Sequence, residues 1–295
     1  MSRPIPLYFN RKLDEAARRA TAYEGAIFLY SAPRTSTALV DWIRELISEA
    51  FGLADPRLAH QAFTVEEFVR RSSPVKSRFT NDPKTKELCR DLIVGMGCDP
   101  ERTYFDLPRL RVVPPTAYLS SGVSYNYQPH RDTWYAHPRQ LINYWIPVFD
   151  SLEHTVMSMY IDYFRTPVKN KSNEWDYDEW VKNSRFAAAS NIGAEARPHP
   201  VPVEDVANST DLRIIQNAGD IMLFSTCQLH ASAPNTLDTT RFSFDLRTLN
   251  LDDLEQGRGP ENVDGKPGGT TLRDFLRVSD FKPLEGATEL QTQGR

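Results

Sequence analysis

Near residue 103 of this 295-residue chain the spacing of apolar side chains changes from three-and-four to two, and it stays at two until about residue 250. A period of two belongs to extended chain with alternate side chains on opposite faces. The segments 111–119, 123–131, 140–149, 155–161, 212–216, 220–224 and 241–249 are short and rich in β-branched and aromatic residues. Gly, Pro, Asn or Asp separates them, so each reads as a strand. Seven or eight such strands predict a mainly β protein with flanking helices and a jelly-roll core, two sheets packed face to face with an open end for a ligand. No repeat at a fixed spacing of 20–50 residues is evident, which argues against a propeller or a solenoid.

The rest of the chain reads as support for that core, in one domain spanning 1–295. Residues 1–102 are expected to be mainly helical. One helix carries Leu39, Val40, Trp42, Ile43, Leu46 and Ile47 on a single stripe, capped by Ser36 or Thr37 and ended by Gly52. A second starts at Thr64, where Thr64-Val65-Glu66-Glu67 resembles a capping box, and a third follows Asp82-Pro83 as far as Val94. Within the β region, 164–211 breaks the alternation and holds Trp175, Tyr177 and Trp180, which lose much by staying in water. It reads as an insertion near the substrate mouth, helical around 178–185; a decorated outer face is the alternative. Residues 251–295 form a C-terminal lid or tail: Gly- and Pro-rich joints, a short helix over 271–277 and a frayed end beyond Gly286.

A formal charge of −4 and the lack of a basic tail give no reason to expect nucleic acid. The longest apolar run, 141–149, is interrupted by Asn143 and is far short of the ~20 residues of a membrane helix. The first six residues carry no apolar signal core. Cys89, Cys98 and Cys227 are scattered, which suits a reducing compartment, with the cytoplasm as the default; Cys227 reads as a small buried thiol rather than a ligand. Oligomeric state is left open.

Chemistry concentrates at Gln128-Pro129-His130-Arg131-Asp132-Thr133-Trp134. In an extended strand His130 and Asp132 leave the same face, roughly 6.6 Å apart along the backbone, and can lean onto one metal ion. His230, closing a second apolar run about a hundred residues later, is the candidate third ligand. Two imidazoles and a carboxylate form a facial set that leaves positions open for substrate and oxygen. Eleven residues after His230 comes Arg241, whose planar fork suits a co-substrate carboxylate better than a lysine would. On 241–247 the alternation puts Arg241, Ser243, Asp245 and Arg247 on one face, expected to line the mouth, and Phe242, Phe244 and Leu246 on the other. Ser243 is a candidate second contact to that carboxylate. Arg247 is a candidate anion site or a surface salt bridge. Trp134, Tyr135 and His137 are candidates for the substrate wall, with interior packing the alternative for the two aromatics and a surface site for His137.

The order His-X-Asp, Gly219-Asp220 turn, apolar strand, His230, then Arg241 resembles the phytanoyl-CoA dioxygenase-like family of iron(II)/2-oxoglutarate-dependent oxygenases, over roughly 111–250. The resemblance implies a double-stranded β-helix in which His130, Asp132 and His230 bind Fe(II) and Arg241 binds the C5 carboxylate of 2-oxoglutarate. Gln128, Thr133 and Asn143 are the residues available for further co-substrate contacts. It also implies an O2-dependent conversion of 2-oxoglutarate to succinate and CO2, coupled to oxidation of a small-molecule substrate, usually hydroxylation. Desaturation, epoxidation and ring formation use the same ligands. Halogenating relatives lack the carboxylate ligand, and Asp132 argues against that outcome. No basic cluster for the phosphates of coenzyme A is apparent, so the expected substrate is a small polar metabolite, such as an amino-acid-derived compound or natural-product intermediate. The alternative is a jelly roll without redox chemistry, a cupin-like metal isomerase or a binding module; neither needs the Arg241 clamp.

Overall fold

The computed structural model describes residues 4–206 and 211–286. Its strands are β1 (Leu7–Phe9), β2 (Ile27–Tyr30), β3 (Thr103–Phe105), β4 (Arg109–Val113), β5 (Ile142–Pro147), β6 (Met157–Tyr160), β7 (Asp211–Arg213), β8 (Ile221–Ser225), β9 (His230–Ser232), β10 (Arg241–Asn250) and β11 (Leu276–Arg277). The helices are α1 (Glu15–Tyr23), α2 (Arg34–Phe51), α3 (Ala59–Ala62), α4 (Val65–Asn81), α5 (Pro83–Gly95), α6 (Tyr177–Asn183) and α7 (Leu251–Glu255). The strands form two sheets. An eight-stranded one runs β1-β2-β8-β5-β10-β3-β11, with β4 also paired to β10, and a three-stranded one runs β7-β6-β9. Among the described strands only β1 and β2 pair in parallel. From β4 to β10 the chain passes back and forth between the sheets: β4, β5, β8 and β10 belong to the large one, and β6, β7 and β9 to the small one.

Each face of the large sheet has its own cover, set by the two-residue alternation. Ile142, Tyr144, Ile146, Ile221, Leu223, Phe242, Phe244 and Leu246 pack against the helical layer, where α2 supplies Leu39, Ile43, Leu46 and Ile47. Full burial of such aliphatic side chains stabilises by roughly 1.5–3 kcal/mol each, which fixes α2 on the sheet. The opposite face contributes Trp145, Met222 and Phe224 to a cluster with Met159 from the small sheet and Val156 just before β6. The space between the two sheets therefore begins as an apolar layer and opens into a cavity along β10.

Several boundaries differ from those read in the sequence. Residues 1–102 contain β1, β2 and α1 besides the expected helices; Ile27–Tyr30 is buried on both faces and so lacks alternation. Helix α2 starts at Arg34 after Pro33, and the Ser36 and Thr37 hydroxyls instead bond back to the Pro33 carbonyl. Gly52 ends it in the left-handed conformation, as expected. Thr64 and Asp82 cap α4 and α5 with their side chains. Strand β4 stops at Val113 because Pro114 and Pro115 cannot donate to the ladder.

The expected strand 123–131 is absent. Residues Gly122–Ser124 form a 3-10 turn, and only His130 pairs, through an isolated bridge to His230. Pro129 offers no N–H. In the insertion, α6 falls where helix was expected, whereas 271–277 holds only a 3-10 turn, Leu272–Asp274, before β11 joins β3. The expectation for residues beyond Gly286 lies outside the described residues.

Candidate metal centre and its cavity

His130 and His230 face each other across that bridge, with reciprocal backbone hydrogen bonds of 2.9 Å and ring centroids 4.4 Å apart. Asp132 does not follow on a strand: it opens the 3-10 helix Asp132–Tyr135, its N–H held by the Thr226 carbonyl at 3.1 Å. The turn still points its carboxylate at the histidines. Arg131 faces the other way and buries its guanidinium against Asp264 and the carbonyls of Tyr163 and Thr166. Trp134 donates to the same Asp264 at 2.7 Å.

Each donor atom of the trio is set by a partner behind it. His130 Nδ1 donates to the Gln128 carbonyl at 2.7 Å and His230 Nδ1 to the Gln228 carbonyl at 2.9 Å. A carbonyl only accepts, so each Nε2 is left with its lone pair. Those two Nε2 atoms lie 3.7 and 3.9 Å from Asp132 Oδ1. Asp132 Oδ2 is occupied by Asn143 Nδ2 at 2.7 Å and Arg247 Nε at 2.9 Å, which leaves Oδ1 for the shared point. The three ligand atoms all lie within 4.8 Å of one another, and all three residues are buried. Two neutral imidazole nitrogens and one carboxylate oxygen suit a divalent transition metal.

Electrostatics prepare the same state. Burial, then the neighbouring His230, lowers His130 to about 3, and burial likewise lowers His230, so the neutral form of both rings is favoured. Burial alone would raise Asp132, but Arg247, followed by the histidines around it, holds it well below the usual carboxylate range. Burial disfavours the charge on Arg247, yet Asp132 and Asp106 hold its pKa well above normal.

A cavity of about 470 Å³ opens beside the trio, inside the ~300–1,000 Å³ range of small-molecule sites. Arg241, Asp245 and Arg247 line it from β10, as the alternation predicts. Arg241 has no carboxylate partner among the described residues. It donates to the Val156 carbonyl at 3.2 Å and leaves its Nε buried without a partner. Burial, and then Arg111 nearby, lowers it to about 10. Ser243 lies on the same strand face, its hydroxyl buried and unpartnered, but it does not line the cavity.

Other expected residues are placed differently. Gln128 is exposed and serves through its backbone carbonyl. Thr133 lines a second cavity, of about 340 Å³, behind the Asp132 turn. Trp134 is fully buried in a separate core cluster and does not reach the main cavity, because its indole is committed to Asp264. Arg247 is neither at the surface nor available to a ligand, since Asp132 and Asp106 take its guanidinium. Asn143 lines the cavity but spends its amide on Asp132. Tyr135 and His137 line the cavity, and His137 Nδ1 is 3.0 Å from Thr271 Oγ1, so it is not a surface histidine. Cys227 is buried, and burial raises its thiol to about 12.

Sequence reasoning missed Asp106, Arg111 and His199. Arg111 forms a bidentate pair with Asp245 at 2.6 and 3.0 Å, and the strand register that makes them neighbours is not legible without the fold. The insertion does reach the cavity: Trp175, Tyr177 and Trp180 line it. Tyr177 bonds the carboxylate of Asp274, and Arg185 does so at 2.9 Å, which ties the insertion to the C-terminal segment.

No family model and no curated protein matches the sequence. Among solved structures, EvdO2 from Micromonospora carbonacea var. aurantiaca complexed with 2-oxoglutarate is 13% identical with a TM-score of 0.46, over 81% of this chain and 92% of that one. The non-heme α-ketoglutarate-dependent epimerase SnoN from nogalamycin biosynthesis is 15% identical at 0.41, over 90% of this chain and all of the other. The apo non-heme monooxygenase ThoJ is 14% identical at 0.38, over 90% and 88%. A likeness of that degree carries no argument about chemistry, which rests on the geometry above.

Proposed function

We propose that this chain is an iron(II)/2-oxoglutarate-dependent oxygenase built on a double-stranded β-helix, which hydroxylates a small-molecule substrate. The observation that carries this reading is the pair of free Nε2 atoms and one free carboxylate oxygen converging beside a cavity that also holds an uncompensated guanidinium. The back-and-forth of β4, β5, β6, β8, β9 and β10 between two sheets supports the architecture. His130, Asp132 and His230 would hold the metal, and Arg241 the distal carboxylate of 2-oxoglutarate. Bound iron with 2-oxoglutarate and O2 supplies the oxidising power, with succinate and CO2 as co-products. The chain's own residues do the rest. Asn143 and Arg247 keep Asp132 ionised and turned toward the histidines, and the carbonyls of Gln128 and Gln228 fix the ring tautomers. Tyr135, Trp175 and Tyr177 exclude water from the reacting space.

A metal isomerase or a sugar-binding module does not need Arg241 as a carboxylate clamp, which is why the oxygenase is preferred. Three buried free thiols suit a reducing compartment, and we place the protein in the cytoplasm. No described helix is long and apolar enough to cross a membrane.

The test is binding before turnover. Calorimetric titration should show one equivalent of Fe(II) per chain and, with metal present, one of 2-oxoglutarate. Asp132→Ala should lose both, and succinate release across a panel of small polar metabolites should follow the same dependence. Metal affinity unchanged in Asp132→Ala would sink the reading.

A further inference from the structure

Every cavity-side carboxylate already has a cation: Asp245 has Arg111, Asp106 and Asp132 share Arg247, and Asp274 has Arg185. Glu195 is likewise taken by Arg197, which lines the cavity. Two more cations line the same space without a salt bridge among the described residues. Lys76, from α4, reaches only the backbone carbonyl of Val123, and Arg109, from β4, makes no described side-chain hydrogen bond or salt bridge, although it lies across from Asp245 and favours the charge on Asp245 and Asp106 without being spent on either. The cations crowd one another. Burial, then Arg111, Arg197 and Arg109, lowers Lys76 to about 7, with Asp245 pulling the other way.

Part of the remaining hydrogen-bonding capacity of the wall is of the donor kind, beside Ser124 Oγ and His199 Nε2, which are also buried without partners and can donate or accept. The indole nitrogens of Trp175 and Trp180 are buried without partners, and an indole N–H can only donate. Around them stand aromatic faces. Tyr125 stacks on His199 at 4.0 Å between centroids, Tyr127 meets Tyr125 edge-on at 4.9 Å, and Tyr135 meets Trp175 edge-on at 5.3 Å. Cations crowded together without a salt bridge are costly to hold in a cavity, so the arrangement favours a ligand that brings negative charge and acceptors.

Resting on the oxygenase reading, in which 2-oxoglutarate occupies Arg241, we propose that the substrate is an organic anion. Its acid group, a carboxylate or a phosphate, docks on Lys76 and Arg109, and its ring-bearing apolar body lies along Tyr125, Tyr127, Tyr135 and Trp175.

Three probes test this on the full chain loaded with Mn(II) and saturated with 2-oxoglutarate: trans-cinnamate, its uncharged amide, and phenyl phosphate. Calorimetry should show at least one acid binding about tenfold or more tighter than cinnamamide, as charge-assisted hydrogen bonds require. The tighter of the two acids identifies the acid group. Lys76→Met combined with Arg109→Met should abolish the preference; should that pair fail to fold, Lys76→Gln with Arg109→Gln reads the same quantity. Acids no tighter than the amide, or a preference that survives in the variants, overturns the proposal. A protein that takes up neither Mn(II) nor 2-oxoglutarate contradicts the oxygenase reading instead. The acid-against-amide comparison on the metal-free chain then decides the anion site by itself.

Discussion

Arg247 Nε lies 2.9 Å from Asp132 Oδ2, and its terminal nitrogen lies 2.9 Å from Asp106, with all three side chains buried. The candidate metal ligand is thus one end of a buried ion triad. Breaking such a network from the cation side leaves two carboxylates without compensation and costs about 3–5 kcal/mol. Arg247→Met should therefore lower unfolding free energy in urea by that order. It should also weaken metal binding about 10–100-fold, because only Asn143 would still orient Asp132. Metal titration of the folded variant checks the second effect separately from the first.

Arg241→Lys keeps a positive charge and loses the planar fork. Its affinity for 2-oxoglutarate in the metal-loaded protein should fall about tenfold, the equivalent of one charge-assisted hydrogen bond of ~1.4 kcal/mol. Equal titration curves for the two proteins would mean that another cation of the cavity, with Lys76 and Arg109 the first to examine, holds the co-substrate.

His199 is lowered to about 4, chiefly by burial among Tyr125, Tyr127 and Tyr135, with Glu195 opposing and Arg197 adding to the shift. Its unfolded value is ~6.5. Between those values the unfolded chain binds more protons, so this residue's contribution to stability is present above pH ~6.5 and is lost as pH falls toward about 4. Urea melts at several pH values should show a shallower acid loss in His199→Gln than in the parent. Parallel curves would remove His199 from the account.

Gly122 sits at φ +59° where the insertion meets the core, donating to Glu195 at 2.9 Å and accepting from Arg197 at 2.9 Å. A Cβ there would come within 2.6 Å of the Asn191 carbonyl oxygen and closer still to that of Ala188. Gly122→Ala combines a left-handed backbone with overpacking and should cost about 2–4 kcal/mol. Hydrogen exchange should quicken over 186–199 more than in β5 or β10, since the clash lies in the insertion. Uniform quickening across the chain would place the strain in the core instead.

Much of the site was legible because it depends on short-range spacing. The alternation on 241–247 sorts Arg241, Asp245 and Arg247 onto the cavity side and Phe242, Phe244 and Leu246 onto the helical side, and the fold keeps that division. The striped helices α2, α4 and α5 were readable for the same reason: the apolar stripes, the Thr64 and Asp82 caps and the Gly52 stop each lie within a few turns of one segment, although Ser36 and Thr37 do not cap α2. Where the pattern misled, a long-range partner had decided the outcome. His130 and Asp132 share a direction, but through a bridge to His230 and a 3-10 turn held by Thr226 rather than through a strand. For Trp134, which the sequence left open between cavity wall and interior packing, the choice was made by Asp264, some 130 positions later.

By itself, then, the sequence determined the period of each segment and the chemical kinds of side chain that could meet: two imidazoles, a carboxylate and a guanidinium at spacings a β fold can gather. Only the tertiary structure decided which atom of each is free. The Gln128 and Gln228 carbonyls take the two Nδ1 atoms, Asn143 and Arg247 take one oxygen of Asp132, and no carboxylate among the described residues takes Arg241. Such pairings follow from strand register and turn geometry, which depend on burying both faces of a sheet at once. Periodicity along one segment carries no record of what packs across from it.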